Sequence, residues 1–362
     1  MRTPLCGYNL QNVSANICGN VFGGKNIYLY FIMMSKSTLK NISEKLSLSI
    51  STVSRALKNH PDISDATKRK VKELAELMEY EPNTYAVNLR TNVSRIFGLI
   101  VPFISNLFYE SFISAVEEDA RKLGYSLMIL QSGNDSIIEI ESLKLCKQTR
   151  VAGIFICVST HAAHAEIYQR YIESGVPLVF FDKVPDIDSC NKVCPADEEA
   201  ATIAAGTIIK YNKKKILAIF GNDELSITRK RMAAFLKTFE KEAPKVNPII
   251  KHADSSLQAR QIVKDFFASK KANHIFCMSD EILIGVMQAT YELGLKIPTD
   301  VSILAISNGF IPGLFNPSIT YVETSGYKLG KLAIKRMADY LNGQTMAQVI
   351  IQPSMLVEGS SM

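Results

Sequence analysis

Short apolar runs alternate with helix-like segments after Ser94, and this alternation restricts the fold more than any other feature of the sequence. The first run, Ile96 to Val101, is apolar at every position except Gly98. Such runs fit strands buried on both faces, as in parallel sheets covered by crossover helices. We predict strands at 96–101, 126–130, 153–157, 177–181, 215–220, 274–278 and 302–306, and helices at 108–123, 137–148, 165–174, 198–210, 228–241 and 281–293. This is enough material for two parallel α/β sheets.

The bulk properties place few limits on function. A chain of 362 residues is too long for one small core, so two or three domains are expected. With 47% hydrophobic and 21% charged residues, the composition is that of a soluble globular protein, and no apolar run is long enough to span a bilayer. The net charge of +6 permits nucleic acid as a partner without requiring it. We therefore expect no membrane partner, and the function has to be inferred from local motifs.

The cysteines and the N-terminal segment indicate the compartment. Of the seven cysteines, only Cys190 and Cys194 are close in sequence, and their spacing fits neither a zinc site nor a CxxC motif. We expect free thiols in a reducing cytosol. Residues 1–34 lack the basic start, long apolar stretch and cleavage site of a secretory signal. We interpret residues 1–33 as an upstream-start extension before a natural start at Met33 or Met34, and expect residues 1–34 to be poorly ordered.

Three short amphipathic helices are predicted between Thr38 and Met78. Thr38 is a suitable N-cap for the first, Ser49 for the second and Ser64 for the third. The buried stripes are predicted from helical spacing: Leu39, Ile42 and Leu46 in the first helix, Val53, Ala56 and Leu57 in the second, and Val71, Leu74, Ala75 and Met78 in the third. Together these helices predict a small helix-turn-helix domain.

The polar face of the second helix suits the major groove of DNA. Ser51, Arg55 and Lys58 are spaced i, i+4, i+7 and project together. Arginine can donate two hydrogen bonds to guanine, and hydroxyl groups reach phosphates and base edges. We therefore predict base contacts from Ile50, Ser51 and Arg55, and backbone contacts from Thr38, Ser49, Thr52, Ser54, Lys58 and Ser64. On periodicity alone, an ordinary amphipathic helix with a solvated polar face fits about equally well.

The order of several motifs along the chain favours a DNA-reading helix over an ordinary amphipathic helix. The chain resembles the DNA-binding headpiece of the lactose-repressor (LacI/GalR) family, and the resemblance continues from about Thr38 to Glu358. The residues that carry it are Thr38-Leu-Lys-Asn-Ile, Ser49-Ile-Ser-Thr-Val-Ser-Arg-Ala-Leu57, Pro61-Asp-Ile-Ser64, Tyr80-Glu-Pro-Asn83 and Leu89-Arg90. The resemblance implies a transcriptional regulator, more often a repressor than an activator. It also implies an all-α headpiece followed by two Rossmann-like lobes of the periplasmic-binding-protein type.

The resemblance also implies domain boundaries and partners. The predicted domains are the headpiece at 35–82, a hinge and linker at 83–94, lobe one at 95–195 plus about 321–345, and lobe two at 196–320 plus about 346–362. The implied partners are a near-palindromic operator, a second copy of the chain, with a tetramer left open, and an effector. That effector is a sugar, a sugar derivative or a protein co-regulator.

The hinge has an implied role of its own. In the family, this segment becomes helical when two copies meet over the minor groove, and Asn83, Tyr85, Ala86 and Leu89 can form such a helix here. Leu89 matches the leucine that wedges between base pairs and kinks the duplex. A plain linker is the alternative.

Candidate effector-binding residues follow the predicted strands, because ligands of such sheets bind beyond the carboxyl ends of the strands. We predict that the cleft is formed by Phe103, Asn106, Phe108, Asp182, Ser226, Thr228, Asp280, Ser307 and Asn308. Asp182 and Asp280 fit equally well as residues that cap a helix or accept hydrogen bonds from loop amides, and Asp197 is expected to cap the helix at Glu198.

At two cleft positions the chain departs from the family pattern. The position at which the family often has an effector-binding arginine falls, by our count, at Leu225. Ser307 stands where an effector-binding aspartate is frequent. The usual clamp for sugar hydroxyls or charged effectors is therefore expected to be weak. Three alternatives fit this departure: a less polar ligand, a polar ligand bound through Ser226, Thr228 and Asn308 instead, or a protein co-regulator.

Two other classes of protein, a transport-type binding protein and an enzyme, fit the sequence less well. A soluble sugar-binding protein of the transport type would have the same lobes but no use for the headpiece. An enzyme would need a phosphate loop, an activated nucleophile or a metal site, and neither GxxxxGK[ST] nor GxSxG occurs. His161 and His164 are spaced to bind a metal weakly, but no third ligand is near them in sequence, so neither metal nor cofactor is expected.

The wedge at Leu89 leads to a direct test. Leu89→Ala removes the apolar group that enters the base stack, so we expect both operator affinity and DNA bending to fall. Gel shift and circular-permutation bending assays measure the two effects. Unchanged affinity and bending would rule out the wedge.

Overall fold

The computed structural model describes residues 38–81, 94–159, 165–269 and 272–362. Expectations for residues 1–34, the hinge residues Asn83, Tyr85, Ala86 and Leu89, and His161 and His164 lie outside these ranges. The chain divides into two compact units, residues 1–92 and 93–362. Each is considered by itself.

The described part of the first unit, residues 38–81, contains three helices that start at the predicted caps. Its helices are α1 (Leu39–Leu46), α2 (Ile50–Leu57) and α3 (Asp65–Leu77). The hydroxyl groups of Thr38, Ser49 and Ser64 accept hydrogen bonds from backbone N–H groups in the first turns. A small core holds the helices together, and its fully or nearly fully buried members are Ile42, Val53, Ala56, Val71 and Ala75. These belong to the apolar stripes expected from the sequence.

The second unit contains two six-stranded sheets, so the predicted mixed α/β class is confirmed. Its strands are β1 (Ile96–Val101), β2 (Ser126–Gln131), β3 (Gly153–Ile156), β4 (Leu178–Phe181), β5 (Asn191–Pro195), β6 (Ile216–Phe220), β7 (Ile249–His252), β8 (His274–Cys277), β9 (Ser302–Ser307), β10 (Thr320–Glu323), β11 (Val349–Gln352) and β12 (Met355–Val357). The order is β11-β5-β4-β3-β1-β2 in the first sheet and β12-β10-β9-β8-β6-β7 in the second. The pairs are parallel except β10 with β12.

Helices cover both sheets. They are α4 (Leu107–Lys122), α5 (Ser136–Gln148), α6 (Ala165–Glu173), α7 (Asp197–Lys210), α8 (Ser226–Glu242), α9 (Ser256–Ser269), α10 (Asp280–Glu292) and α11 (Gly326–Leu341), with a 3₁₀ turn at Ile311–Leu314. The strands β3, β4, β6, β8 and β9 are buried at every residue. Burial on both faces explains why these strands appear in the sequence as continuous apolar runs.

The lobe boundaries differ from the prediction. β10 was placed in lobe one but pairs with β9 in the second sheet, and β11 was placed in lobe two but pairs with β5 in the first. The described chain therefore crosses between the lobes after β5, after β10 and after β11. Lobe one comprises residues 94–195 and 326–352, and lobe two comprises residues 196–323 and 355–362. The prediction failed because β10 and β11 are strands of only four residues, and nothing in their sequences indicates which of the two sheets each one joins.

Two glycines allow α11 to pack closely on α4. A Cβ atom on Gly326 would lie 2.2 Å from the Phe108 carbonyl oxygen. A Cβ atom on Gly330 would lie 2.8 Å from the Ala115 Cβ and 2.8 Å from the Phe112 carbonyl oxygen. In contrast, Gly206 in α7 has no atom within 4 Å of such a position. The close contact between α11 and α4 therefore requires residues without a Cβ atom at positions 326 and 330.

Other expectations concern thiols, membranes and metals. The five cysteines in the described ranges, Cys146, Cys157, Cys190, Cys194 and Cys277, are free thiols. Among the described residues, no helix has the length and apolar character needed to cross a bilayer. The same ranges contain no cluster of three or more His, Cys, Asp or Glu side chains suited to a metal ion.

The close contact between α11 and α4 predicts different effects on stability for the same Gly→Ala change at position 330 and at position 206. Gly330→Ala should lower the free energy of unfolding by about 1–3 kcal/mol, because the new methyl group overlaps α4. Gly206→Ala adds the same methyl group to an open position and should raise stability by up to ~1 kcal/mol through helix propensity. Urea unfolding followed by circular dichroism measures both. Equal effects of the two substitutions would contradict the packing explanation.

Candidate functional sites

The predicted DNA-reading residues lie on the exposed side of α2. The side chain of Ile50 is 49% exposed, and Ser51, Arg55 and Lys58 are exposed as well. Val53 and Ala56 face the opposite way, into the core. The helical spacing therefore separates a polar, cationic face from the apolar face that holds α2 in the domain.

Hydroxyl groups predicted to contact the DNA backbone are already engaged in capping. The Ser49 hydroxyl accepts from the Thr52 backbone N–H at 3.1 Å and shares hydrogen bonds with the Ser51 and Thr52 hydroxyls. Thr38 accepts from the Asn41 backbone N–H at 3.2 Å, and Ser64 from the Thr67 backbone N–H at 3.3 Å. Ser54 is half-buried and Lys58 closes the C-terminal end of α2. The caps fix where each helix begins, and so position the exposed face of α2.

In the second unit, a cavity of about 210 Å³ lies between the two lobes. Lobe one contributes residues that follow β1 and β4, and lobe two contributes residues at the ends of β8 and β9 and on α8. The lining residues are Ser105, Asn106, Leu107, Phe108, Tyr109, Asp182, Ile227, Arg231, Met278, Ser279, Asp280, Glu281, Ile306, Ser307, Asn308 and Thr324. This position agrees with the rule that ligands bind beyond the carboxyl ends of parallel strands.

Six of the nine predicted cleft residues line this cavity: Asn106, Phe108, Asp182, Asp280, Ser307 and Asn308. Three do not. Phe103 is 42% exposed on a loop outside the cavity. Ser226 lines a neighbouring groove instead. Thr228 is fully buried behind Gly221 and has no hydrogen-bond partner for its hydroxyl. Ser226 and Thr228 both lie in the first turn of α8. They do not line the cavity, whereas Ile227, between them in sequence, does.

Asp182 presents a carboxylate to the cleft from an unusual backbone conformation. Its φ of 57° is left-handed, which is uncommon for residues other than glycine. Tyr109 donates a 2.8 Å hydrogen bond to Asp182 Oδ2, while the Cys157 thiol lies 3.7 Å from the same oxygen. Burial, followed by the charge of Asp182, raises the pKa of Tyr109 well above its usual value. Tyr109 therefore remains a proton donor and orients the carboxylate.

An arginine reaches the cleft from α8 rather than from the position of Leu225. Arg231 is 5% exposed; two of its guanidinium nitrogens lie 2.9 and 2.8 Å from Asp197 Oδ1, and its Nη1 donates to the Met278 carbonyl at 3.0 Å. Leu225 itself is the N-cap residue of α8 and does not line the cavity. Asp197 does not cap its helix either: Ala196 is the N-cap residue, and the Asp197 carboxylate pairs with Arg231. Burial raises the pKa of Asp197, and Arg231 opposes that rise.

The carboxylate of Asp280 binds the loop after β9. Its Oδ2 accepts from the Asn308 backbone N–H at 2.9 Å, and its Oδ1 accepts from the Ser307 hydroxyl. Burial raises the pKa of Asp280, and the two hydrogen bonds oppose the shift. Ser279, not Asp280, caps α10. The alternative in which Asp280 accepts hydrogen bonds from a loop amide is thus the one observed.

Sequence reasoning missed several cleft residues, notably Tyr109, Ile227, Arg231 and Thr324. A helical signal for two of them was present, because Ile227 and Arg231 are spaced i, i+4 and share one face of α8. Searching only the loops after strands excluded residues that reach the cleft from a helix.

Comparisons with known proteins agree with this arrangement. Residues 38–83 match the model for bacterial regulatory proteins of the lacI family, and residues 94–357 match the model for periplasmic binding proteins and the sugar-binding domain of the LacI family. The chain belongs to the LacI family of bacterial regulators. It is therefore a DNA-binding transcriptional regulator with a ligand-binding body, not an enzyme, and the headpiece distinguishes it from the transport-type proteins.

Individual LacI-family relatives are similar along most of the chain. Catabolite control protein A of Priestia megaterium is 26% identical over 320 residues, which cover 87% of this chain and 96% of that protein. The transcriptional repressor PurR of Vibrio parahaemolyticus is 23% identical over 330 residues, which cover 90% and 98%. The lac repressor dimer bound to operator and the anti-inducer ONPF has the same fold, with a TM-score of 0.81 at 20% identity over 90% of this chain and 99% of that one.

The buried pair Arg231–Asp197 predicts unequal effects for single and double substitutions. Arg231→Met should lower the free energy of unfolding by about 3–5 kcal/mol, because Asp197 is left buried without its cation. Adding Asp197→Leu should restore most of the loss, because the unpaired charge is then removed. Urea unfolding at neutral pH measures both proteins. A double variant no more stable than Arg231→Met alone would contradict this explanation.

Proposed function

We propose that this LacI-family regulator binds a near-palindromic operator as a homodimer and that a ligand in the interlobe cleft controls the binding. The observation that carries the proposal is the pairing of an exposed cationic helix face in the first unit with an enclosed polar cavity in the second. Two-fold symmetry of the protein would match the symmetry of the operator. The expected action is repression in the cytoplasm.

On the DNA side, Ile50, Ser51 and Arg55 are proposed to contact bases. Ile50 and Ser51 lie in the first turn of α2, the part of a recognition helix that usually meets base edges, and Arg55 projects from the exposed face in the last turn. Lys58 is proposed to bind phosphate. Further contacts to the DNA backbone are proposed for Thr38, Ser49, Thr52, Ser54 and Ser64, and the N–H groups in the capped first turns of the helices support binding to phosphates. The hinge residues Asn83, Tyr85, Ala86 and Leu89 are assigned to the minor groove on the family resemblance.

On the effector side, Asp182 is the proposed anchor. Tyr109 engages Oδ2, and no described residue bonds to Oδ1, so that oxygen can accept from a ligand hydroxyl or amine. Phe108, Ile227 and Met278 add apolar contacts to the same cavity. This combination suits a small polyhydroxylated compound such as a sugar or sugar derivative. Arg231 is already neutralised by Asp197, which makes it less available to an anionic group.

The coupling between the two sites need not be large. If the ligand favours one arrangement of the lobes, it changes how two headpieces are presented to successive half-sites. A coupling free energy of ~1–3 kcal/mol changes affinity by about 5- to 150-fold, which is enough for regulation. A protein co-regulator bound to the body would act through the same linkage.

In vitro selection of random duplexes followed by genome-wide mapping of bound sites tests the proposal. We expect one enriched, near-palindromic motif and bound sites upstream of a small set of genes. The substrates of the proteins that these genes encode are the candidate effectors to test. Titration calorimetry with those compounds, on wild type and Asp182→Asn, then tests the cleft. A chain that enriches no motif, or an effector whose affinity is unchanged in Asp182→Asn, would contradict the corresponding half of the proposal.

The two cationic residues on α2 should behave differently when removed. Arg55→Ala should cost ~1–3 kcal/mol of binding and relax specificity at one base pair, because it removes a base contact. Lys58→Ala should weaken all sequences alike and reduce the salt dependence by about one phosphate contact. Binding to the selected duplex and its point variants at several salt concentrations measures both. A uniform loss from Arg55→Ala would assign that residue to the backbone.

A further inference from the structure

Asn308 ties the two lobes together at one end of the cleft. It lies in the loop after β9, in lobe two, and its side chain makes three hydrogen bonds with lobe one. Oδ1 accepts from the Gly326 backbone N–H at 2.8 Å and from the Ser111 hydroxyl at 3.1 Å, while Nδ2 donates to the Leu107 carbonyl at 3.2 Å. Both ends of the amide are therefore used across the lobe boundary.

The groups that Asn308 contacts belong to two closely packed helices of lobe one. Leu107 and Ser111 are in the first turns of α4, and Gly326 is the first residue of α11. These two helices pack closely, since a Cβ atom on Gly326 would meet both the Phe108 carbonyl and the Ser111 hydroxyl. Asn308 therefore connects lobe two to a packed helix pair, so motion of its loop acts on lobe one as a whole.

Asp280 holds Asn308 in place from the other side. Its carboxylate accepts from the Asn308 backbone N–H and from the Ser307 hydroxyl, and the Ser307 hydroxyl oxygen also accepts from the Gly309 N–H at 2.9 Å. Asp280 makes no hydrogen bond or ion pair with the described residues of lobe one, but it lines the cleft. The Asp280 carboxylate therefore both lines the cavity and accepts hydrogen bonds from the loop that bridges the lobes.

We infer that Asp280, Ser307 and Asn308 form a relay that couples occupancy of the cleft to the hydrogen bonds between the lobes. The inference rests on the proposed function of the cleft as the effector site. A ligand hydroxyl or amine that takes a carboxylate oxygen of Asp280 competes with Ser307 and the Asn308 N–H. Asn308 then loses the orientation that its three interlobe bonds require, and a change in those bonds alters the affinity of Asp280 for the ligand in return.

This assignment differs from a direct ligand role for Ser307 and Asn308. Ser307 is 2% exposed and its hydroxyl is bonded on both sides, and the two polar atoms of the Asn308 amide are used by lobe one. Asn308 and Ser307 are thus positioning residues that line the cavity.

Hydrogen exchange of the full-length protein tests the tie. Asn308→Asp removes the donor to the Leu107 carbonyl and puts a negative charge beside it, and Asn222→Asp is the matched control. Asn222 also lies in a lobe-two loop after a strand, but its side chain accepts only from Glu224 of its own loop. In Asn308→Asp, peptides covering 107–111 and 326–330 should exchange roughly fivefold faster or more, as expected for the loss of one hydrogen bond. Asn222→Asp should leave them unchanged.

Asp280→Ala tests the relay itself. Asp280 makes no hydrogen bond or ion pair with the described residues of α4, so we expect faster exchange in peptides 107–111 of this variant to act through Asn308. The same variants are then titrated with the duplex selected by the wild type. We expect Asn308→Asp and Asp280→Ala to change the operator Kd at least threefold in the same direction, and Asn222→Asp to change it less than twofold.

Several results would overturn the inference. Unchanged exchange in Asn308→Asp would disprove the tie, and an effect of Asn308→Asp without one of Asp280→Ala would disprove the relay. Exchange changes in both variants with an unchanged operator Kd would disprove its connection to DNA binding. Failure of wild type to bind any duplex contradicts the proposed function instead, since the exchange measurements need no DNA.

Discussion

The cleft exists because the carboxyl ends of two parallel sheets are brought to opposing edges by the three crossings of the chain between them. Asn106 and Asp182 follow β1 and β4 of the first sheet, and Asp280, Ser307 and Asn308 lie at the ends of β8 and β9 of the second. Because the apolar strands are buried on both faces, neither sheet can shift its register without exposing its core. The polar residues at the strand ends are therefore held where the packing of the strands places them.

Within this frame, the charged groups of the cleft are largely satisfied by the protein. Arg231 is paired with Asp197, Asp280 binds the loop after β9, and Asp182 is held by Tyr109. Burying charges is costly unless each has a partner, which accounts for these contacts. The second oxygen of Asp182 accepts no hydrogen bond from the described residues. A ligand entering this cleft must therefore either use that oxygen or displace an existing bond, and displacement is how binding can be transmitted to the lobes.

The sequence predicts those parts of the structure that depend on interactions between neighbouring residues or on a regular pattern of apolar residues. The three headpiece helices begin at the predicted Thr38, Ser49 and Ser64 because capping is a local interaction. The strands that are buried at every residue were found because burial on both faces makes them continuously apolar. β5, β7, β10, β11 and β12 were missed, as they are short and in most cases partly exposed. Asp197 was wrongly expected to cap its helix and Arg231 was not assigned a role, because their pairing joins residues 34 positions apart and has no local signature.

Lobe one is completed by residues from both ends of the second unit. Leu329, Ala333, Ile334 and Met337 of α11 belong to the same core as Phe97 and Leu99 of β1, and β11 adds the last strand to that sheet. A ribosome must therefore synthesise more than 200 further residues after β1 before this core can close, whereas the headpiece depends only on contacts within about 40 residues. During synthesis the DNA-binding domain can fold first, so a newly made chain acquires its reading surface before the body that controls it.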